Sequence, residues 1–224
     1  MAQKILLYII FALLFAQGPL AFAQADSADN AYLREIDYSK IEGSPYSNDS
    51  YQWGVLMHGR NKKIGKYKIR YNAHIDRMET LNADGTIGVI SKADSLNIVI
   101  NNTTYLTLDY LEKNDKIHKG YFTEKTTGPS CSLFLREYKT IKEGKEASTG
   151  YHKNKPSKFI DHKKYYLRFS SKILQPIKLK KKAILNSFPK HYDLLNKYVS
   201  EKKLAVDSEN GLIALVDYYN DIAK

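Results

Sequence analysis

Apolar and polar residues alternate through most of the middle of the chain. In Lys66–Leu81 (KYKIRYNAHIDRMETL), Tyr67, Ile69 and Tyr71 fall on one side and Lys68, Arg70 and Asn72 on the other. A period of two is that of a half-buried strand. The rhythm breaks at Asn72–Asp76 and resumes through Met78, which predicts a tight turn or a β-bulge at the centre of the stretch. Tyr51–His58 reads as the preceding strand. Thr86–Ile90 reads as the following one, after Asp84-Gly85, a strong hairpin signal. Leu96–Ile100 and Thr104–Tyr110 flank Asn101-Asn102 and predict a second hairpin. Lys119–Thr126 and Cys131–Lys139 flank Gly128-Pro129 and predict a third. Lys163–Ser170 and Gln175–Leu179 return to strand-like alternation.

From Lys180 the period lengthens. Ala183, Ile184 and Leu185 take helical spacing before Pro189; Leu194, Leu195, Tyr198 and Val199 share one side of His191–Leu204. Asp207, an N-cap type of residue, precedes Leu212, Leu215, Val216 and Tyr219. Helices this short are not stable alone in water, so they must pack together or on the sheet. The expected fold class is therefore α+β: a mainly antiparallel β sheet, closed as a barrel or folded as a sandwich, followed by short C-terminal helices. The β domain is expected over residues 45–180 with a basic loop at 139–162, and the helical cap over 181–224.

The N-terminus has the pattern of an export signal. Lys4 supplies a positive n-region, Ile5–Phe15 an apolar run, and Ala21-Phe22-Ala23 and Ala23-Gln24-Ala25 two A-x-A cleavage sites. A signal peptide is expected over residues 1–23, with cleavage after 23 or 25, and a polar arm over 24–44. The location implied is periplasmic, outer-surface or secreted. No later apolar run approaches the ~20 residues of a helical membrane span, so no transmembrane segment is expected in the mature chain.

Composition sharpens this picture at three points. Eighteen tyrosines against one tryptophan suit sheets whose side chains lie half in water, with an aromatic binding platform as the lesser alternative. Cys131 is the only cysteine, so no internal disulfide can form; its alternation with Leu133 and Leu135 marks it as a buried thiol. The basic excess is local: Lys139–Lys190 holds fifteen Lys/Arg and three Asp/Glu, a net of +12, against +11 for the whole chain. The densest part is Lys178, Lys180, Lys181 and Lys182, candidate contacts for an anionic lipid or glycan surface. The competing reading is a solvated lysine-rich face. No zinc-finger, helix-turn-helix or RNP pattern is present, and nucleic acid is a disfavoured partner.

Catalytic patterns are absent: there is no H-E-x-x-H, nucleophile elbow, P-loop or G-x-G-x-x-G. No catalytic, cofactor-binding or metal-ligating residue is assigned. The one cluster of ionisable groups is His74, Asp76 and Glu79 in the broken centre of Lys66–Leu81. Turns collect such residues for their own backbone hydrogen bonds, which is the competing explanation.

Gly43-Ser44-Pro45-Tyr46, Arg70-Tyr71-Asn72 with Asp76 and Met78-Glu79, Gly120-Tyr121-Phe122, and Asp217-Tyr218-Tyr219-Asn220 together make the chain resemble a family of uncharacterised exported proteins of Bacteroidota. The resemblance covers nearly all of the mature chain and implies bacterial export, a β-rich body, a lysine-rich crossover and a helical C-terminus. It supplies no activity. Ile75 and Arg77 depart from the pattern, which has a polar and an acidic residue there. The expected function is an exported cell-envelope or secreted binding or structural module that contacts anionic surfaces or another envelope protein. The alternatives are an exported hydrolase with chemistry near His74, Asp76 and Glu79, and a β-barrel carrier of a small apolar ligand.

Overall fold

Strands form where the period is two. The computed structural model describes residues 37–112, 115–145, 155–170 and 173–223. The expected signal peptide and most of the polar arm lie outside these residues. The strands are β1 (Ile41–Glu42), β2 (Gln52–His58), β3 (Lys62–Asn72), β4 (Arg77–Leu81), β5 (Ile87–Ile90), β6 (Leu96–Ile100), β7 (Thr103–Leu111), β8 (Ile117–Thr126), β9 (Ser132–Lys142), β10 (Ser157–Arg168) and β11 (Gln175–Pro176). They form one sheet in the order β1-β10-β9-β8-β7-β6-β2-β3-β4-β5, with β11 on β10. All these pairings are antiparallel except β1 on β10.

The three hairpins stand at the predicted turns. Asn101 and Asn102 both take positive φ, the requirement of a two-residue turn that follows strand twist, and Ile100 faces Thr103 across it. Gly85 supplies positive φ between β4 and β5. The basic loop expected at 139–162 is narrower, because β9 runs to Lys142 and β10 starts at Ser157, with Lys142 opposite Lys158. Alternating residues there satisfy a strand ladder despite the lysines, whose stems cover the sheet while the charges stay in water.

One face of the sheet carries Leu56, Ile69, Tyr71, Met78, Ile98, Tyr105 and Tyr121 as a core. Leu133, Leu135, Tyr165 and Leu167 belong to a second core under the helices. A third core holds Tyr110, Phe122, Phe134, Tyr166 and Leu174. Phe122 and Tyr121 are neighbours in one strand, so this core lies on the opposite face. It is closed by the crossing segment before the helices. Leu174 bridges to Tyr110 of β7, while Gln175 and Pro176 pair with β10. Phe122, Phe134, Tyr166 and Leu174 are wholly buried there.

The C-terminal helices are α1 (Lys181–Asn186), α2 (Tyr192–Glu201) and α3 (Glu209–Ile222). Ser208, one residue after the expected Asp207, is the N-cap of α3; its hydroxyl accepts from the Gly211 N–H at 3.1 Å. Leu212, Leu215, Val216 and Tyr219 pack down onto the β9–β10 surface. Asn220 fixes the docking. Its Oδ1 accepts from the Ser130 and Cys131 N–H groups at 3.0 and 2.8 Å, and its Nδ2 donates to the Cys131 carbonyl at 2.9 Å. Cys131 is 1% exposed, and burial pushes its thiol up to about 12. Among the described residues no helix is long and apolar enough to cross a membrane.

Candidate functional site

The bend of Lys66–Leu81 is the four-residue turn Ala73–Asp76 between β3 and β4. Asn72 builds it: its Oδ1 accepts from the His74 and Ile75 N–H groups at 3.2 and 3.3 Å. Asp76 closes it at φ 54°, a left-handed conformation that Asp tolerates better than most residues. The Pro45 carbonyl accepts from Ala73 and His74 N–H at 2.9 and 3.2 Å.

This turn is inserted into a gap in the sheet. β8 and β9 pair only from Thr123 to Thr126 and from Leu133 to Leu135, with a register shift, and then diverge. β8 stays on β7 as far as Ile117, and β9 stays on β10 as far as Lys142. Unpaired edges are left between them, and the turn satisfies both. The Lys139 N–H donates to the Ala73 carbonyl at 3.0 Å, and the Tyr121 N–H to Asp76 Oδ1 at 3.4 Å. The wedge thus replaces ladder bonds that the splayed strands cannot make with each other.

Each of the three ionisable groups then goes to a different place. Asp76 Oδ1 accepts from the Tyr71 hydroxyl at 2.7 Å; Oδ2 meets Lys92 Nζ at 2.8 Å and the Arg136 guanidinium at 3.4 Å. Glu79 is 1% exposed and lies opposite Arg70 in the β3–β4 ladder. Its two oxygens take Arg70 at 3.0 Å and Arg77 at 2.7 Å. Arg70 is held in turn over the rings of Tyr46 and Tyr51, 3.4 and 4.4 Å from their centroids. His74 Nδ1 donates to the Lys139 carbonyl at 3.1 Å, and its ring packs edgewise on Phe159 and Tyr38. Adjacent in sequence, the three side chains do not converge on one point. Among the described residues no group of three or more His, Cys, Asp and Glu comes together to hold a metal ion.

The cluster sets its own electrostatics. Burial, and then the Asp76 charge, hold the Tyr71 hydroxyl well above the usual tyrosine range. Burial also raises Tyr121, and it pushes Tyr110 up to about 12. For Arg136, burial works against the charge, but Asp76 together with Tyr110, Tyr71 and Tyr166 outweighs it, and the guanidinium is held above its ordinary value. Gly120 has a steric reason: a Cβ there would stand 3.1 Å from Asp76 Oδ2 and 3.0 Å from the Tyr110 ring.

The partners of the cluster were not marked by sequence pattern alone. Arg70 could have been found, since a hairpin about Asn72–Arg77 sets it opposite Glu79. Lys92 and Arg136 lie 16 and 60 positions beyond Asp76 and carry no local signal. The tyrosines serve the interior more than the surface. Tyr71, Tyr105, Tyr110, Tyr121, Tyr165, Tyr166 and Tyr219 are all buried, and among the described residues Trp53 is the aromatic most open to water at 58%.

The lysine run stands apart from this cluster. Lys178, Lys180, Lys181 and Lys182 are all exposed, at the entry to α1. Lys181 Nζ donates to Ser200 Oγ at 3.2 Å, which sets the run beside the C-terminal end of α2 and hence near Lys202 and Lys203. The one acidic residue of that helix end, Glu201, is engaged by Lys197 at 3.9 Å. No protein-family model, curated protein or solved structure matches the chain.

Proposed function

We propose that the protein is an exported binding module of the bacterial cell envelope, of the Bacteroidota type that it resembles, which docks on anionic surfaces through Lys178, Lys180, Lys181 and Lys182. The observation that carries this reading is their common exposure beside the α2 terminus, where Lys202 and Lys203 extend the same sign of charge. A lysine near an anionic surface contributes roughly 1 kcal/mol, so several acting together give appreciable attraction. Two features lower the support for the alternatives. His74, Asp76 and Glu79 are each consumed by partners within the fold, which leaves little for hydrolysis. The closed interior around Phe122, Phe134 and Tyr166 is filled by those rings, which leaves little for a carried apolar molecule.

The test is retention of the full chain by vesicles of phosphatidylglycerol, by vesicles of phosphatidylcholine and by an immobilised acidic polysaccharide, each from low to high salt. Retention on an anionic surface should weaken with salt. It should fall about tenfold or more in the Lys178→Gln/Lys180→Gln/Lys182→Gln variant, because about three lysine contacts are lost. The polysaccharide and lipid arms separate the two sources of anionic charge. Salt-independent retention, or none on either polyanion, removes the proposal.

A further inference from the structure

The outward face of β2–β5 carries large apolar side chains that no core takes up. Ile69, Met78 and Ile90 point into the Tyr71 core, so their strand neighbours Lys68, Glu79 and Val89 point away from it. Gly54 lies on the core side, where a Cβ would stand 2.9 Å from Ile69 Cδ1, and this turns Trp53 outward. Register then sets Trp53, Lys68, Leu81 and Ile87 side by side across the four strands. With strands about 4.8 Å apart, that row is roughly 14 Å long. The rows beside it hold Arg70, Glu79 and Val89 on one side and Val55 with Lys66 on the other.

Trp53, Ile87 and Val89 are 58, 56 and 49% exposed. Scattered apolar residues are ordinary on a surface, but a contiguous set marks an interaction face. Ile87 and Val89 also belong to β5, which ends the sheet order and carries no charge of its own. An apolar edge strand of this kind invites a cover.

Charge says what covers it. Lys66 and Lys68 Nζ stand 4.9 and 5.9 Å from the Trp53 ring centroid, so two ammonium groups rim the indole. The outward positions of these strands hold one carboxylate, Glu79, and Arg70 and Arg77 occupy both its oxygens. The Lys66 and Lys68 charges are therefore left to an anionic partner. That partner must also take aliphatic side chains out of water. An acidic polysaccharide or a nucleic acid has no hydrocarbon interior for Leu81, Ile87 and Val89, and one tryptophan is no platform for successive bases. A second copy of the chain would set lysines against lysines. An anionic bilayer meets both demands: its phosphates take the ammonium groups, while indole and aliphatic side chains sink to the boundary of headgroups and acyl chains.

We propose that this face docks on an anionic phospholipid bilayer, with Trp53, Ile87 and Val89 inserted at the headgroup level and Lys66 and Lys68 on lipid phosphates. None of these residues belongs to the lysine run at 178–182, so the inference stands if that reading fails.

Trp53 is the only tryptophan in the chain, so its emission reports this face alone. The test is a titration of the full chain with vesicles of phosphatidylglycerol and, separately, of phosphatidylcholine. Phosphatidylglycerol should shift Trp53 emission to the blue, and brominated acyl chains should quench it. Phosphatidylcholine should act at least about tenfold more weakly. Lys66→Gln/Lys68→Gln and Ile87→Gln/Val89→Gln should each raise the lipid concentration at half-shift by about tenfold or more, with far-ultraviolet dichroism unchanged. The Lys178→Gln/Lys180→Gln/Lys182→Gln variant should keep the blue shift at saturating lipid. Retention on phosphatidylglycerol vesicles with unshifted Trp53 emission assigns docking to another part of the chain and overturns the proposal. So does a shift of equal strength with the two lipids. A shift that arises in concentrated protein without lipid means a second copy on this face, and it overturns the proposal as well.

Discussion

The wedge at Ala73–Glu79 and the run at Lys178–Lys182 are both crowded with charge, and they use it in opposite ways. In the wedge every carboxylate faces a cation from another part of the sheet, and Glu79 is shielded from water by two arginines. In the run four lysines stand exposed, and among the described residues only Lys181 is tied down, by a hydroxyl. Ionisable groups close in sequence do not make a site by their number. Whether the fold supplies their counter-charges decides whether they serve the architecture or remain available to a partner.

Substitutions in the two regions should separate them by stability. The largest expected effect is at Glu79. Glu79→Ala leaves Arg70 and Arg77 facing each other without a carboxylate, and urea unfolding should show a loss of about 3–5 kcal/mol. Tyr71→Phe removes the hydroxyl bonded to Asp76 at 2.7 Å, and about 1.5–3 kcal/mol should go with it. Gly120→Ala forces a methyl group against Asp76 and Tyr110. Overpacking of this kind costs about 1–3 kcal/mol, read in the same unfolding experiment. At the other extreme, the triple Lys→Gln variant should change stability by no more than about 0.5 kcal/mol while it loses anion binding. Equal losses of stability in the two regions would erase the distinction.

The buried tyrosines of the sheet add a pH dependence. Tyr71, Tyr110, Tyr121, Tyr165 and Tyr166 are all raised above the ordinary value of 10.0, first by burial, with Tyr110 and Tyr165 at about 12. A raised acid holds its proton longer in the folded chain than in the unfolded one. The stabilising contribution is therefore complete below pH 10 and declines as pH rises toward 12 and beyond. Far-ultraviolet dichroism and tyrosinate absorbance should lose structure and gain ionisation together over that window. Full ionisation with the fold intact would contradict the burial of these hydroxyls.

Local order was legible in the chain because its causes are local. Asn101-Asn102 and Asp84-Gly85 carry the backbone freedom of their turns, and the helical stripes from Ile184 to Tyr219 name the surface that packs on β9 and β10. Cys131 follows the alternation of Leu133 and Leu135 into that core. What stayed hidden depends on remote partners. β2 lies on β6 with three strands between them in sequence, and Leu174 reaches back to Tyr110. The wedge requires β8 and β9 to separate, and nothing in Ile117–Lys142 announces where pairing stops. The polar cluster was found by composition, but its role is set by Lys92 and Arg136, whose proximity only the folded sheet creates.

Asp76→Asn tests the architectural role of the bend most directly. The substitution keeps the shape of the turn and removes the charge that Lys92, Arg136 and the Tyr71 hydroxyl share. Polar groups held for chemistry commonly cost stability, and replacing them leaves it unchanged or raises it. Groups that bind the sheet together do the reverse. The expected result in equilibrium unfolding is a loss of about 3 kcal/mol. That corresponds to a melting temperature lower by roughly 6–12 °C for a chain of this size. An Asp76→Asn variant as stable as the parent, or more so, would contradict the architectural role and return the bend to the list of candidate sites.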